Sequence, residues 1–248
     1  MPRNQKSLRL TEAYRRRLFA LRENLESRAP DLWREPDLLA ASVEAAQKAA
    51  CALTGAYLTA FLRSETGKVT PAIVVDTEAY SGSAADGQPL VEQMRSPLIG
   101  YFTARKSGEE NPEQVGIDRA VRQVGMNYDA AHRKALAETI AADERFSGSA
   151  RAVRGTCGAC AALSGTPHMS VHPNCHCVEE PEVAGVSQRI KRPTGAELFN
   201  AKTPEEQDAM VGPEAAEKLR TGQIAMADLI GESHLDSDAE NFLTQATA

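Results

Sequence analysis

The stretch PDLLAASVEAAQKAACALTGAYLTAFLR, Pro36–Arg63, decides the fold. Wound as an α-helix, it places apolar residues almost all the way round, the pattern of a helix buried on more than one side. Pro36 suits a first helical turn, where its missing N–H costs nothing, so the helix is expected to open there. Cys51 is read as a small core residue of this helix, because an isolated thiol packs as a compact apolar group.

Toward the N-terminus, Tyr14, Leu18, Leu21 and Leu25 recur at the spacing of one helix face, with Arg15, Arg16 and Arg17 on the other. That predicts an amphipathic helix with a solvated basic face. Past the opening stretch the periodicity fails from Ser64 to Pro89. TPAIVVDTEAY, Thr70–Tyr80, reads as a short strand, and SGSAADGQP, Ser81–Pro89, as a loop. Helix returns over Leu90–Lys106, with Pro97 expected to kink or split it. A polar linker, KSGEENPEQ, leads into Pro112–Glu144, one long helix with Val115, Ala120, Val124, Tyr128 and Ala131 near one face. His132 lies on this helix as a partly packed histidine, and nothing near it in sequence makes it a base.

Val178–Gly195, VEEPEVAGVSQRIKRPTG, reads as an acidic, proline-containing connector. After it, Thr203, Pro204 and Glu206 compose a capping box, and Pro213 and Gly222 bracket a further short helix. His234–Ala248 reads as a frayed tail.

The chain has 248 residues, 42% hydrophobic and 25% charged, which suits a soluble globular protein with a substantial core. Aromatics at 5% favour close-packed helices over a β-sandwich. MPRNQKSLRL has no apolar run behind its charge, so no signal peptide is expected, and no apolar stretch spans a bilayer. A cytosol-like compartment follows, in which clustered cysteines bind metal or do chemistry more readily than they form disulfides. The net charge of −6 is unevenly spread. Residues 1–35 carry nine Lys/Arg against five Asp/Glu, whereas residues 179–248 carry six against fourteen. A uniform nucleic-acid binder would not show that reversal.

Four of the five cysteines lie within Arg154–Glu182. Cys157 and Cys160 form Cys-x-x-Cys, Cys175 and Cys177 form Cys-x-Cys, and fourteen residues separate the pairs. Two close pairs, each biting from one turn, are what a tetrahedral structural zinc site needs, and closing the loop around the metal would fold the segment. His172, three residues before Cys175, makes three cysteines and one histidine an alternative to the all-cysteine set. Competing readings are a redox Cys-x-x-Cys, a catalytic zinc with His168, His176 or Glu179 as acid or base, and disulfides. No hydrolase, metalloprotease or phosphate-loop motif is present.

CGAC, HPNCHC and TPEEQDAMVGPEAAEKLRTGQIAMADLIG together resemble the phage head-morphogenesis family typified by the F protein of phage Mu, the MuF-like minor capsid proteins. The likeness is carried by Cys157, Cys160, His172, Pro173, Asn174, Cys175 and Cys177, and covers roughly residues 110–231. Family members often have arginine between the last two cysteines, where His176 stands here. The resemblance implies a minor virion protein inside the phage head, assembled in the host cytoplasm, at the portal vertex, with a structural role in head assembly and genome packaging or ejection. Its implied partners are the portal and other head proteins, with no membrane. A capsid maturation protease, the name given to similar actinophage proteins, is the alternative. The basic helix, with Arg15, Arg16, Arg17 and Arg22, would contact an acidic protein surface or packaged DNA. The expected fold is mainly α with little β. It comprises a helical region over 1–108, a MuF-like region over 109–231 with a zinc knuckle at 154–182 and short C-terminal helices, and a tail over 232–248.

Overall fold

The computed structural model describes residues 5–152, 177–186 and 194–230, and these are mainly helical. Helix α1, Gln5–Leu32, buries Tyr14, Leu18, Leu25 and Ala29 along the expected face, while Leu21 sits half-buried at its margin. The same face also buries Ser7 and Thr11. A buried hydroxyl without a partner costs about 1–3 kcal/mol, so the facing helix must supply partners. Helix α2, Pro36–Thr66, does so. Ser7 Oγ donates to Ser64 Oγ (2.9 Å), Thr11 Oγ1 meets Tyr57 Oη (3.0 Å), and Tyr14 Oη meets Thr54 Oγ1 (2.8 Å). The Tyr14 and Tyr57 rings stack with centroids 4.3 Å apart.

Pro36 occupies the first turn of α2 as expected, and Cys51 is fully buried, its thiol pushed up to about 11 by burial. The helix expected over 90–106 is split into α3, Leu90–Gln93, and α4, Ser96–Lys106, with Pro97 in the first turn of α4. Helix α5, Pro112–Ala142, is capped by Asn111, whose side chain accepts from Gln114 N–H. It packs on α1, α2 and α4, and Ala120, Val124, Tyr128 and Ala131 are buried along it.

Thr70–Tyr80 is not a strand of any sheet. Residues 71–76 take no regular secondary structure and pass α2, where Ile73 N–H donates to Thr59 Oγ1 (2.8 Å), then Glu78–Tyr80 turn as a short 3-10 helix. Ile73, Val74 and Val75 favour a strand, but a strand needs a neighbouring strand, and here the Thr59 hydroxyl of α2 takes the Ile73 N–H. The loop that follows is pinned by two buried amides. Gln47 accepts from Gly82 N–H (3.0 Å) and donates to Ser83 O (3.1 Å), and Asn127 accepts from Ala85 N–H (2.7 Å).

Two strands, β1 (Phe146–Ala152) and β2 (Val178–Val183), pair as a ribbon. Ala184 N–H donates to Arg145 O (2.9 Å) and Ser149 Oγ to Glu179 Oε2 (3.1 Å), so numbers rise on one strand as they fall on the other, and the pairing is antiparallel. This corrects the reading of Val178–Gly195 as a connector, since its first six residues are a strand. Val178, Glu179, Glu180 and Pro181 are all buried, because a carboxylate goes inside where it is hydrogen-bonded, whatever its charge suggests.

The chain divides into two compact units. The larger runs through Gly148 and takes in Val183–Val186. Helix α5 belongs to it because its buried face is the cover for α1, α2 and α4. The smaller contains β1 from Ser149, most of β2, and three short helices: α6 (Gly195–Asn200), α7 (Pro204–Val211) and α8 (Pro213–Arg220). Thr203 and Glu206 make the expected reciprocal capping box, Thr194 and Glu197 make a second one, and Gly222 follows α8 at a φ of 71°. Phe199, Met210, Ala216 and Met226 form this unit's core.

Candidate functional site

The ribbon is the frame of the cysteine segment. β1 ends at Ala152, and the chain re-enters the described structure at Cys177, directly before β2. Antiparallel pairing therefore brings Ala152 and Val178 to the same end of the ribbon. Cys177 is buried, at 6% exposure. The other expected ligands, Cys157, Cys160, His172 and Cys175, lie outside the described residues, as do His168 and His176. Among the described residues no group of three His, Cys, Asp or Glu side chains is placed to hold a metal ion. Glu179, weighed as an acid or base, is instead buried within β2, accepting from Ser149.

The larger unit holds a second concentration of charge that the sequence reading did not find. Asp129, His132 and Arg133 sit within one turn of α5, and Arg22 reaches them from α1. Arg22 Nη1 donates to Asp129 Oδ2 at 2.8 Å, and its Nε donates to Glu26 Oε1 at 2.7 Å. Arg133 Nη2 lies 3.8 Å from the same Asp129 oxygen, and His132 Nε2 lies 3.5 Å from Oδ1. Gly125 makes the arrangement possible, since a Cβ there would stand 2.6 Å from Glu26 Oε1 and 3.0 Å from Arg22 Nη2. One turn away, Tyr128 Oη donates to the Leu18 carbonyl at 2.8 Å. Arg22 is thus a buried strut between helices and not part of the exposed basic face; Arg16 and Arg17 are exposed, and Arg15 is half-buried and paired with Glu12.

Burial by itself raises the Asp129 carboxyl, but His132, Arg133 and Arg22 outweigh it and leave it below the usual carboxylate range. The 2.8 Å contact makes Arg22 the firmest of these partners; His132, at 3.5 Å, is at the limit of hydrogen bonding. Burial lowers His132, Arg133 and Arg22 lower it further, and Asp129 offsets only part. His132 is therefore neutral near pH 7, with Nε2–H turned to Asp129 and Nδ1 left as a buried acceptor with no donor. Among the described residues no donor reaches that nitrogen, and the ionic link between α1 and α5 is the Arg22–Asp129 pair. One sequence signal marked the site: in the run Tyr14, Leu18, Arg22, Leu25, Ala29, an arginine stands where the helix face requires a buried residue.

Comparison with known protein families, curated proteins and solved structures finds no match to the chain. Among the described residues no helix is long and apolar enough to cross a membrane.

Proposed function

We propose that the protein is a structural minor capsid protein of a phage head, of the MuF-like kind, with a zinc-stapled knuckle over 154–182. The observation that supports this most is the ribbon, whose strands flank the cysteine segment in sequence, with Cys177 buried. Cys157, Cys160 and Cys175 lie between the two strands in sequence and Cys177 directly precedes β2, a setting in which a closed metal site would add folding energy. The donor set fits zinc: soft thiolates at Cys157, Cys160 and Cys175, with Cys177 or His172 completing four ligands. Bound zinc would supply cohesion and no chemistry, leaving a rigid body that docks on the portal and neighbouring head proteins. Arg16 and Arg17 are placed to meet an acidic surface or packaged phosphate.

Elemental analysis of anaerobically purified protein tests the metal, with about one zinc per chain expected for a closed structural site. Zinc-free protein with reactive thiols at Cys157, Cys160, Cys175 and Cys177 would remove the knuckle. Co-expression with portal, scaffold and major capsid proteins tests the role, the expected result being co-purification without cleavage. Cleavage of scaffold or capsid that disappears on alanine replacement of a serine, histidine or cysteine of this chain would establish the protease instead.

A further inference from the structure

Helix α4 is apolar on two sides. Pro97, Gly100 and Ala104 are buried where it packs on α5, and Leu98 and Tyr101 are half-buried. On the outer side, Arg95, just before the helix, and Ile99, Phe102 and Lys106 recur at i, i+4, i+7 and i+11. At a rise of about 1.5 Å per residue they make one stripe roughly 16 Å long. All four are exposed, Ile99 to 61% and Phe102 to 58%. Cations surround this apolar pair. Arg95 and Lys106 stand at its two ends, and Arg105 is exposed next to Lys106. From α5, Arg119 lies across the bare backbone of Gly100, where a Cβ would stand 2.7 Å from its Nε and 3.1 Å from its Cζ. No acidic residue occurs from Gln93 through Gly108. Among the described residues Arg105, Lys106 and Arg119 form no ion pair, and Arg95 is held only by the exposed Glu92 (2.8 Å).

We propose that this outer face of α4 docks an acidic amphipathic helix of a partner protein, its apolar residues seated on Ile99 and Phe102 and its carboxylates on the surrounding cations. An apolar centre within a polar rim is the anatomy of a protein–protein contact. Cations left without carboxylates fix the sign of the partner's charge, and they steer it in before the apolar side chains meet. The occupant is a helix because a helix apolar on two sides is one with neighbours on both. α5 covers the inner side, and a second helix laid along the outer stripe repeats the same ridge-and-groove packing. A phosphate backbone would call for cations along the middle of the stripe, where Ile99 and Phe102 stand. The face is small, below the ~1,000 Å² of stable specific complexes, so the contact is weak and reversible. It stands independently of the phage reading.

Fluorescence anisotropy on the full chain tests it, with a labelled synthetic helical peptide that carries leucines along one face and glutamates at both ends. Saturable binding is expected below about 1 mM peptide. Raising salt from about 50 mM to about 500 mM should weaken it, because rim charges are screened. Phe102→Asp, at an exposed position, should weaken binding about tenfold or more, as loss of a central anchor does. The double variant Arg105→Glu, Lys106→Glu should reverse the salt dependence, whereas Lys68→Glu, an exposed cation outside α4, should change nothing. Fluorescence of the buried Trp33 reports that each variant is folded. No binding at the highest peptide concentration, equal binding of a peptide whose leucines are replaced by glutamine, or binding undiminished in Phe102→Asp would overturn the proposal. So would a DNA duplex or a phosphatidylserine vesicle that binds more tightly than the peptide and is lost in the same variants.

Discussion

Replacing Asp129 by asparagine keeps the shape of the side chain and removes the charge that Arg22 and Arg133 share. Arg22 and Asp129 side chains are 8% and 11% exposed, so solvent can do little to compensate. Removing one partner of a buried pair costs about 3–5 kcal/mol, because the other charge stays buried; Glu26 remains beside Arg22, which sets the expected loss near ~3 kcal/mol. For a unit of this size each kcal/mol lowers Tm by about 2–4 °C, so a fall of roughly 6–12 °C is expected. The chain has a single tryptophan, Trp33, buried in the larger unit, so urea unfolding followed by its fluorescence reports on that unit. The pH dependence is a second test. The folded His132 sits below its ordinary 6.5, so the unfolded chain takes the proton first. Stability is whole above that pH and lost as pH falls below it. The folded Asp129 sits below its ordinary 3.8, so its contribution is present above that value and lost as pH falls through the lower, folded one. His132→Gln should therefore flatten the first decline, and Asp129→Asn the second. A loss under about 1 kcal/mol in Asp129→Asn, with an unchanged acid profile, would refute the strut, showing that solvation already balances the pair.

Gly55→Ala sets a helix-propensity gain of about 1 kcal/mol against a collision with the Ile73 carbonyl. The segment around Ile73 should lift off while α2 stays folded, seen as lost amide protection at Ile73; wild-type protection there would contradict the close approach. Thr203→Ala should destabilise the smaller unit by about 1 kcal/mol through loss of one side of the capping box, measured as a lower Tm.

Helix boundaries were legible where proline or a capping residue marks them: Pro36, Pro97, Pro112 and Thr203 stand where the expectations put them. Those signals are local and act on the backbone directly. Burial of polar residues was not legible. Ser7, Thr11, Arg22, Gln47 and Asn127 are inside because partners dozens of residues away satisfy them, which no single stretch reveals. VEEPEV failed for the same reason, since two glutamates in a row argue for solvent until Ser149 lies across from one of them. TPAIVVDTEAY failed differently: its residues do favour extension, but strandhood needs a neighbour, and the chain supplies helix α2 in that place. The expected metal ligands were read from spacing and resemblance, and only Cys177 falls where the structure describes it.

The bond from Tyr128 to the Leu18 carbonyl has a consequence for synthesis. It joins residues 110 positions apart, so α1 and α2 leave the ribosome and pair long before α5 exists. Until then Gln47, which donates to the Asn127 carbonyl, and the side of α2 that packs on α5 have no cover, and the nascent hairpin is a sticky intermediate. A ribosome stalled before Pro112 would hold out a hydrophobic, half-built domain, the form that chaperones and proteases recognise. Translation speed through residues 67–142, and not the stability of the finished molecule, would then set how much of the protein is recovered soluble.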